Sequence, residues 1–101
     1  MQKILILVVC AHEEILQTIV RLINANEQWS AVGASTQIAA QAVFEQHSVD
    51  LVLLGSGMAG DTEKMLSKFF LEKNPKVKIV QHFGGGSGLL SNEIYGALAE
   101  N

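Results

Sequence analysis

The chain is 101 residues long, 49% hydrophobic and only 17% charged, with a formal net charge of −3. This length suits one domain, and the acidic balance, with basic residues few and scattered, excludes a nucleic-acid surface built on clustered positive charge. The single cysteine, Cys10, excludes an internal disulfide and points to a reducing, cytoplasmic setting. The apolar run Ile4–Cys10 is too short to cross a membrane or to serve as a signal peptide. So low a charged fraction implies an apolar patch of outer surface that a partner covers.

Lys3–Val9 is an Ile, Leu and Val run without polar alternation, which predicts a strand buried on both faces of a parallel sheet. Glu13–Asn26 predicts a helix with Ile15, Ile19, Leu22 and Ile23 on its inner stripe, widened by Leu16 and Val20. Trp29–Ala34 reads as a second strand. Thr36 is placed to cap a second helix whose inner face carries Ile38, Ala39, Ala42 and Val43. Asp50–Leu54 is the third strand, and Asp61 is placed to cap a third helix with Met65, Leu66, Phe69 and Phe70 inward. Asn74-Pro75 ends that helix, because proline disfavours helical backbone in the residue before it. Val77–Phe83 is the fourth strand. Beyond the glycine-rich loop at 84–88, Leu90, Ile94, Ala97 and Leu98 are spaced for one face of a last helix. This βαβαβαβα alternation predicts a single α/β domain spanning 1–101, an open parallel sheet of four strands with helices on both faces.

Four stretches carry a family likeness: Val49–Gly60 (VDLVLLGSGMAG), Val32-Gly33-Ala34-Ser35, the alanine-rich Ala39–Phe44, and Asn74–Val80. With them the chain resembles, from Lys3 to about Phe83, the receiver domain of response regulators. The resemblance implies a flavodoxin-like fold with strand order 2-1-3-4, and a role in signal transduction of the bacterial two-component type. In that family the third strand ends in the aspartate that accepts a phosphoryl group, and the matching position here is Gly55. The acidic pair after the first strand, which helps hold Mg²⁺, matches Cys10 and Ala11. The phosphate-sensing Thr or Ser that ends the fourth strand matches Phe83 or Gly84, and the family's lysine has no counterpart because no fifth strand is read. Glu13 and Glu14 are better explained as first-turn charges favoured by the helix dipole than as Mg²⁺ ligands.

On these positions the chain is similar to degenerate pseudo-receivers: no enzyme activity, no cofactor, no metal, and action by protein contact. The unread fifth strand would leave the fourth as an open edge, which makes Val77, Ile79, Val80 and Phe83 the candidate interface of a homodimer. The last helix matches either the family's fourth or its fifth helix. In the second case one helix–strand unit has been deleted.

Other chemistries fit less well. Ser56, Gly57, Gly84, Gly85, Gly86 and Ser87 would line the carboxyl ends of the strands, where backbone N–H groups can bind a small anion or nucleotide. Their pattern is neither a P-loop nor a dinucleotide fingerprint, and a plain connector with Ser87 capping the helix explains it more simply. Cys10, His12 and His82 are zinc-type ligands, yet no fourth ligand accompanies them. Ser56 and His82 lack the orienting acid of a hydrolase, and that reading is rejected. Val8-Val9-Cys10-Ala11 is similar to the phosphocysteine strand of sugar-phosphotransferase B subunits, but His12-Glu13-Glu14 follows, and the carboxylates would repel phosphate. His47 closes the second helix without assigned chemistry. Burial against a neighbouring helix is the expected fate of Trp29.

Overall fold

A computed structural model describes residues 4–55 and 60–81, together with Ile94 and Gly96. In chain order these form β1 (Ile4–Val9), α1 (Glu13–Asn24), β2 (Trp29–Ala34), α2 (Gln37–Gln46), β3 (Leu51–Leu54), α3 (Gly60–Lys73) and β4 (Lys78–Gln81). The four strands make one sheet in the order β2-β1-β3-β4, and every neighbouring pair is parallel. The expected fold class and strand order are therefore observed.

The central strands are buried on both sides because both sides are covered. Odd and even positions alternate between two cores, as the pleat requires. Ile6, Val8, Cys10, Leu51 and Leu53 join Leu16, Ile19 and Ile23 of α1, with Trp29 and Ala31 of β2. Leu7, Val9, Val52 and Leu54 face the other way, onto Ala40 and Phe44 of α2 and Leu66 and Phe70 of α3. Phe44 lies against Phe70 with ring centroids 4.6 Å apart, and Phe69 meets both rings edge-on. Ile94 is fully buried in the α1 core, on the face opposite α2 and α3.

Register is pinned at the amino end by Asp50. Its carboxylate Oδ2 accepts from Leu5 N–H at 2.9 Å, while its own N–H donates to Leu5 O at 2.9 Å. The Asp50 carbonyl then accepts from Lys78 N–H at 3.2 Å, so one residue ties β1, β3 and β4 together.

Several helix faces differ from the sequence expectation. In α1 the buried side chains are Leu16, Ile19 and Ile23, whereas Ile15 and Leu22 are 44% and 39% exposed. The apolar arc of this helix is wider than the sheet can cover, and β2 draws it toward Leu16 and Val20. In α2, Ala40 and Phe44 are buried, Ala39 and Val43 pack at the margin, and Ile38 is 80% exposed. Phe44 anchors that helix on the rings of α3, which turns Ile38 and Ala42 outward. Met65 of α3 is likewise exposed. Thr36 caps α2 as expected, its hydroxyl accepting from Ala39 N–H at 3.1 Å. Asp61 is not a cap, because α3 begins at Gly60 and places its carboxylate inside the first turn. Helix α1 stops at Asn24 rather than Asn26, and β4 begins at Lys78 rather than Val77, since Val77 N–H turns back to Asn74 O; His82 and Phe83 of the expected strand lie outside the described residues.

Candidate functional site

In open parallel sheets ligands and chemistry collect at the carboxyl ends of the strands. Here that end is formed by the residues that follow β1 and β3. Val9 pairs with Leu54, so Cys10 and Gly55 come next on adjacent strands. Gly55 N–H donates to Val9 O at 2.7 Å, and Cys10 N–H donates to Ala34 O at 3.1 Å, which carries the ladder one residue past the strands. Both residues are buried, and the Cys10 thiol lies 3.6 Å from His12 O.

Space decides what can stand at position 55. A Cβ added to Gly55 would sit 3.0 Å from Cys10 Cβ, 3.2 Å from Cys10 Sγ and 3.3 Å from Val9 O. Two of these neighbours are held in place, one a backbone oxygen and the other the Cβ of a fully buried residue. Cys10 therefore fills the room that a side chain at 55 would use. The glycine is favoured by contact, not by an unusual backbone angle.

Among the described residues a carboxylate of α3 reaches this end of the sheet: Glu63 accepts through Oε2 from Gln81 Nε2 at 2.7 Å, and Gln81 of β4 pairs with Leu54. Glu13 and Glu14 are exposed in the first turn of α1 and, with Ala11, His12 and Ile15, line a shallow depression of about 410 Å³. Asp50 belongs to the same β3 segment but stands at its amino end, roughly 16 Å of extended chain from Gly55, with its carboxylate already bonded to Leu5 N–H. Among the described residues no group of three or more His, Cys, Asp or Glu side chains could hold a metal ion. The thiol of Cys10 meets the backbone carbonyl of His12 at 3.6 Å.

The remaining expected residues divide simply. Ser56, Gly57, His82, Phe83, Gly84, Gly85, Gly86 and Ser87 lie outside the described residues, as do Leu90, Ala97 and Leu98 of the last helix. Val77 is buried, 5% exposed, whereas Ile79 and Val80 are half-buried on β4, which among the described residues pairs with β3 alone. Trp29 is buried against α1, and His47 closes α2 by donating its N–H to Val43 O at 3.1 Å. One recess escaped the sequence reading. At the amino end of the sheet, Phe44, Glu45, His47, Ser48, Val49, Lys73 and Asn74 surround about 530 Å³. There Lys73 Nζ stands 3.9 Å from Glu45 and 5.6 Å from the Phe69 ring centre. This pair is about half exposed, and such contacts contribute about 0–1 kcal/mol. No helix among the described residues is long and apolar enough to cross a membrane.

No protein-family model matches the chain, and no curated protein matches it. Solved structures do. The receiver domain of the hybrid histidine kinase CckA superposes with a TM-score of 0.68 at 17% identity, covering 93% of this chain and 98% of that one. A receiver domain of an HD domain-containing protein from Pseudomonas fluorescens Pf-5 gives 0.67 at 16% identity, covering 96% and 95%. A response-regulator receiver domain from Clostridium thermocellum gives 0.65 at 18% identity, covering 93% of each chain. The fold is receiver-like.

Proposed function

We propose that this chain is a single-domain pseudo-receiver: a receiver-like scaffold that takes no phosphoryl group on aspartate, catalyses no reaction, and works by contact with protein partners, a second copy of itself included. The observation that carries this reading is the Cys10–Gly55 contact. The position at the end of β3 has no side chain, and a Cβ there would meet Cys10 at 3.0 Å. A side chain at that point would press on Cys10 and Val9 O, and among the described residues no group of three ligands stands ready to hold a metal beside it. A cytoplasmic signalling role follows from the family of folds and is part of the proposal.

Two further observations support the details. Ile94 packs on the α1 face, while a right-handed crossover from β4 to a strand beyond it would place its helix on the face of α2 and α3. This favours matching the last helix to the family's fifth, with one helix–strand unit deleted and β4 left as an edge for self-association. The phosphocysteine alternative is disfavoured by burial, since Cys10 is 0% exposed and a phosphoryl acceptor must be reached.

The test is thermal shift with Mg²⁺ and beryllofluoride, a mimic of the phosphoryl group on aspartate. A ligand that binds only the folded chain raises its melting temperature. The expected result is an unchanged melting temperature; a saturable rise would overturn the proposal. Slow modification of Cys10 by a thiol reagent in the native state, and fast modification once unfolded, is the matching expectation for a structural cysteine. Rapid native labelling would favour the phosphocysteine reading instead.

A further inference from the structure

The two ends of the sheet are treated differently by the chain itself. In β2 the peptide groups alternate between the neighbouring strand and the outside. The carbonyls of Gln28 and Ala34 face β1, accepting from Ile4 and Cys10 N–H, so those of Trp29, Ala31 and Gly33 face outward. Along an open edge such groups would await another strand. At the centre of this edge they are taken. Asn24, the last residue of α1, accepts from Ala31 N–H through Oδ1 at 2.8 Å and donates through Nδ2 to Ala31 O at 3.4 Å. A carboxamide has the same donor and acceptor as a peptide, and here it meets Ala31 as a neighbouring strand would. Just before it, Trp29 N–H donates to Asn26 O at 3.2 Å. On β4, Lys78 N–H faces β3, which turns the peptide groups of Ile79 and Gln81 outward.

We propose that Asn24 is a built-in substitute for an edge strand, closing β2 to a second copy of this chain and confining sheet growth to β4. The proposal rests on the self-association reading above and adds its geometry. With both edges open, β4 of one copy would pair with β2 of the next, a head-to-tail contact that does not close and builds filaments. With β2 shut, the β4–β4 contact is the edge pairing left among the described strands, and it is self-complementary and stops at two.

Two readouts separate this inference from the reading beneath it. In Asn24→Ala, hydrogen exchange at the Ala31 amide should quicken by about three- to tenfold, and light scattering across a concentration series should show mass rising beyond the dimer. Alanine is the best helix former, so a weakened α1 cannot explain that result. Asn24→Asp keeps the acceptor for Ala31 N–H and adds a charge to the edge, so it should retain slow exchange and wild-type mass. Unchanged Ala31 exchange and unchanged mass in Asn24→Ala would overturn the inference, as would growth past the dimer in Asn24→Asp. A wild type that is monomeric throughout would remove the self-association reading, and the exchange comparison would still decide whether Asn24 closes the edge.

Discussion

At Gly55 one added methyl group meets a fully buried neighbour and a backbone oxygen, and at Gly33 it meets side-chain atoms of Leu16 and Val20. The distances are nearly equal, 3.0 Å to Cys10 Cβ in the first case and 3.0 Å to Leu16 Cδ1 in the second. Leu16 Cγ and Val20 Cγ2 follow at 3.1 and 3.2 Å, so the consequences differ because every contact at Gly33 is a helix side chain that can shift by a few tenths of an ångström, whereas Cys10 Cβ and Val9 O are fixed to the strands. Gly55→Ala should cost about 1–3 kcal/mol, the range for overpacking a close-packed core. Gly33→Ala should be near neutral, since relief of the glycine's entropy penalty, about 0.5–1 kcal/mol, offsets the small adjustment. Chemical denaturation of both variants checks this contrast. Cys10→Gly should restore part of the stability lost in Gly55→Ala, giving a coupling energy of about 0.5–3 kcal/mol in a double-mutant cycle. Additive effects would show that the two residues do not share one space. Sequence alone supplied the glycine at this position and the cysteine across from it. It could not show that they touch, because strand pairing is a long-range fact.

At the level of elements, what was legible in the sequence depended on how sharply each segment was marked. Strand β2 is bounded as expected at Trp29 and Ala34, and Thr36 caps α2, because turn and cap residues act locally. The inner faces of the helices were harder to read. Helix α2 is alanine-rich and nearly uniform around its axis, so the one large aliphatic residue, Ile38, drew the expected face toward itself. Phe44 wins in the folded chain because its ring packs against Phe70 at 4.6 Å, burying more apolar surface than Ile38 could. The end of α1 and the start of β4 differ from the expectation for a related reason. Asn24, the last residue of α1, turns its side chain to β2, and Asn74 holds Val77 in a turn before β4 begins. Thr36→Ala should remove the bond to Ala39 N–H and cost about 1 kcal/mol. In a domain of this size that corresponds to a fall in melting temperature of about 5 °C, readable by circular dichroism with no change in the native spectrum.

At the scale of the whole molecule, the fold was legible and the use made of it is a proposal. Alternating apolar strands and amphipathic helices left few topologies, and the observed order β2-β1-β3-β4 is the one expected. The self-association reading concerns β4, where Ile79 and Val80 are half-buried beside outward peptide groups. Ile79→Lys puts a charge on that strand, and light scattering should then report monomer at concentrations where the wild type is dimeric. Equal mass for the two proteins would move the interface elsewhere. The central claim, that the end of β3 accepts no phosphoryl group, is tested most directly by intact-mass measurement after incubation with acetyl phosphate and Mg²⁺. The mass should stay that of the unmodified chain; a gain of one phosphoryl group would contradict the account.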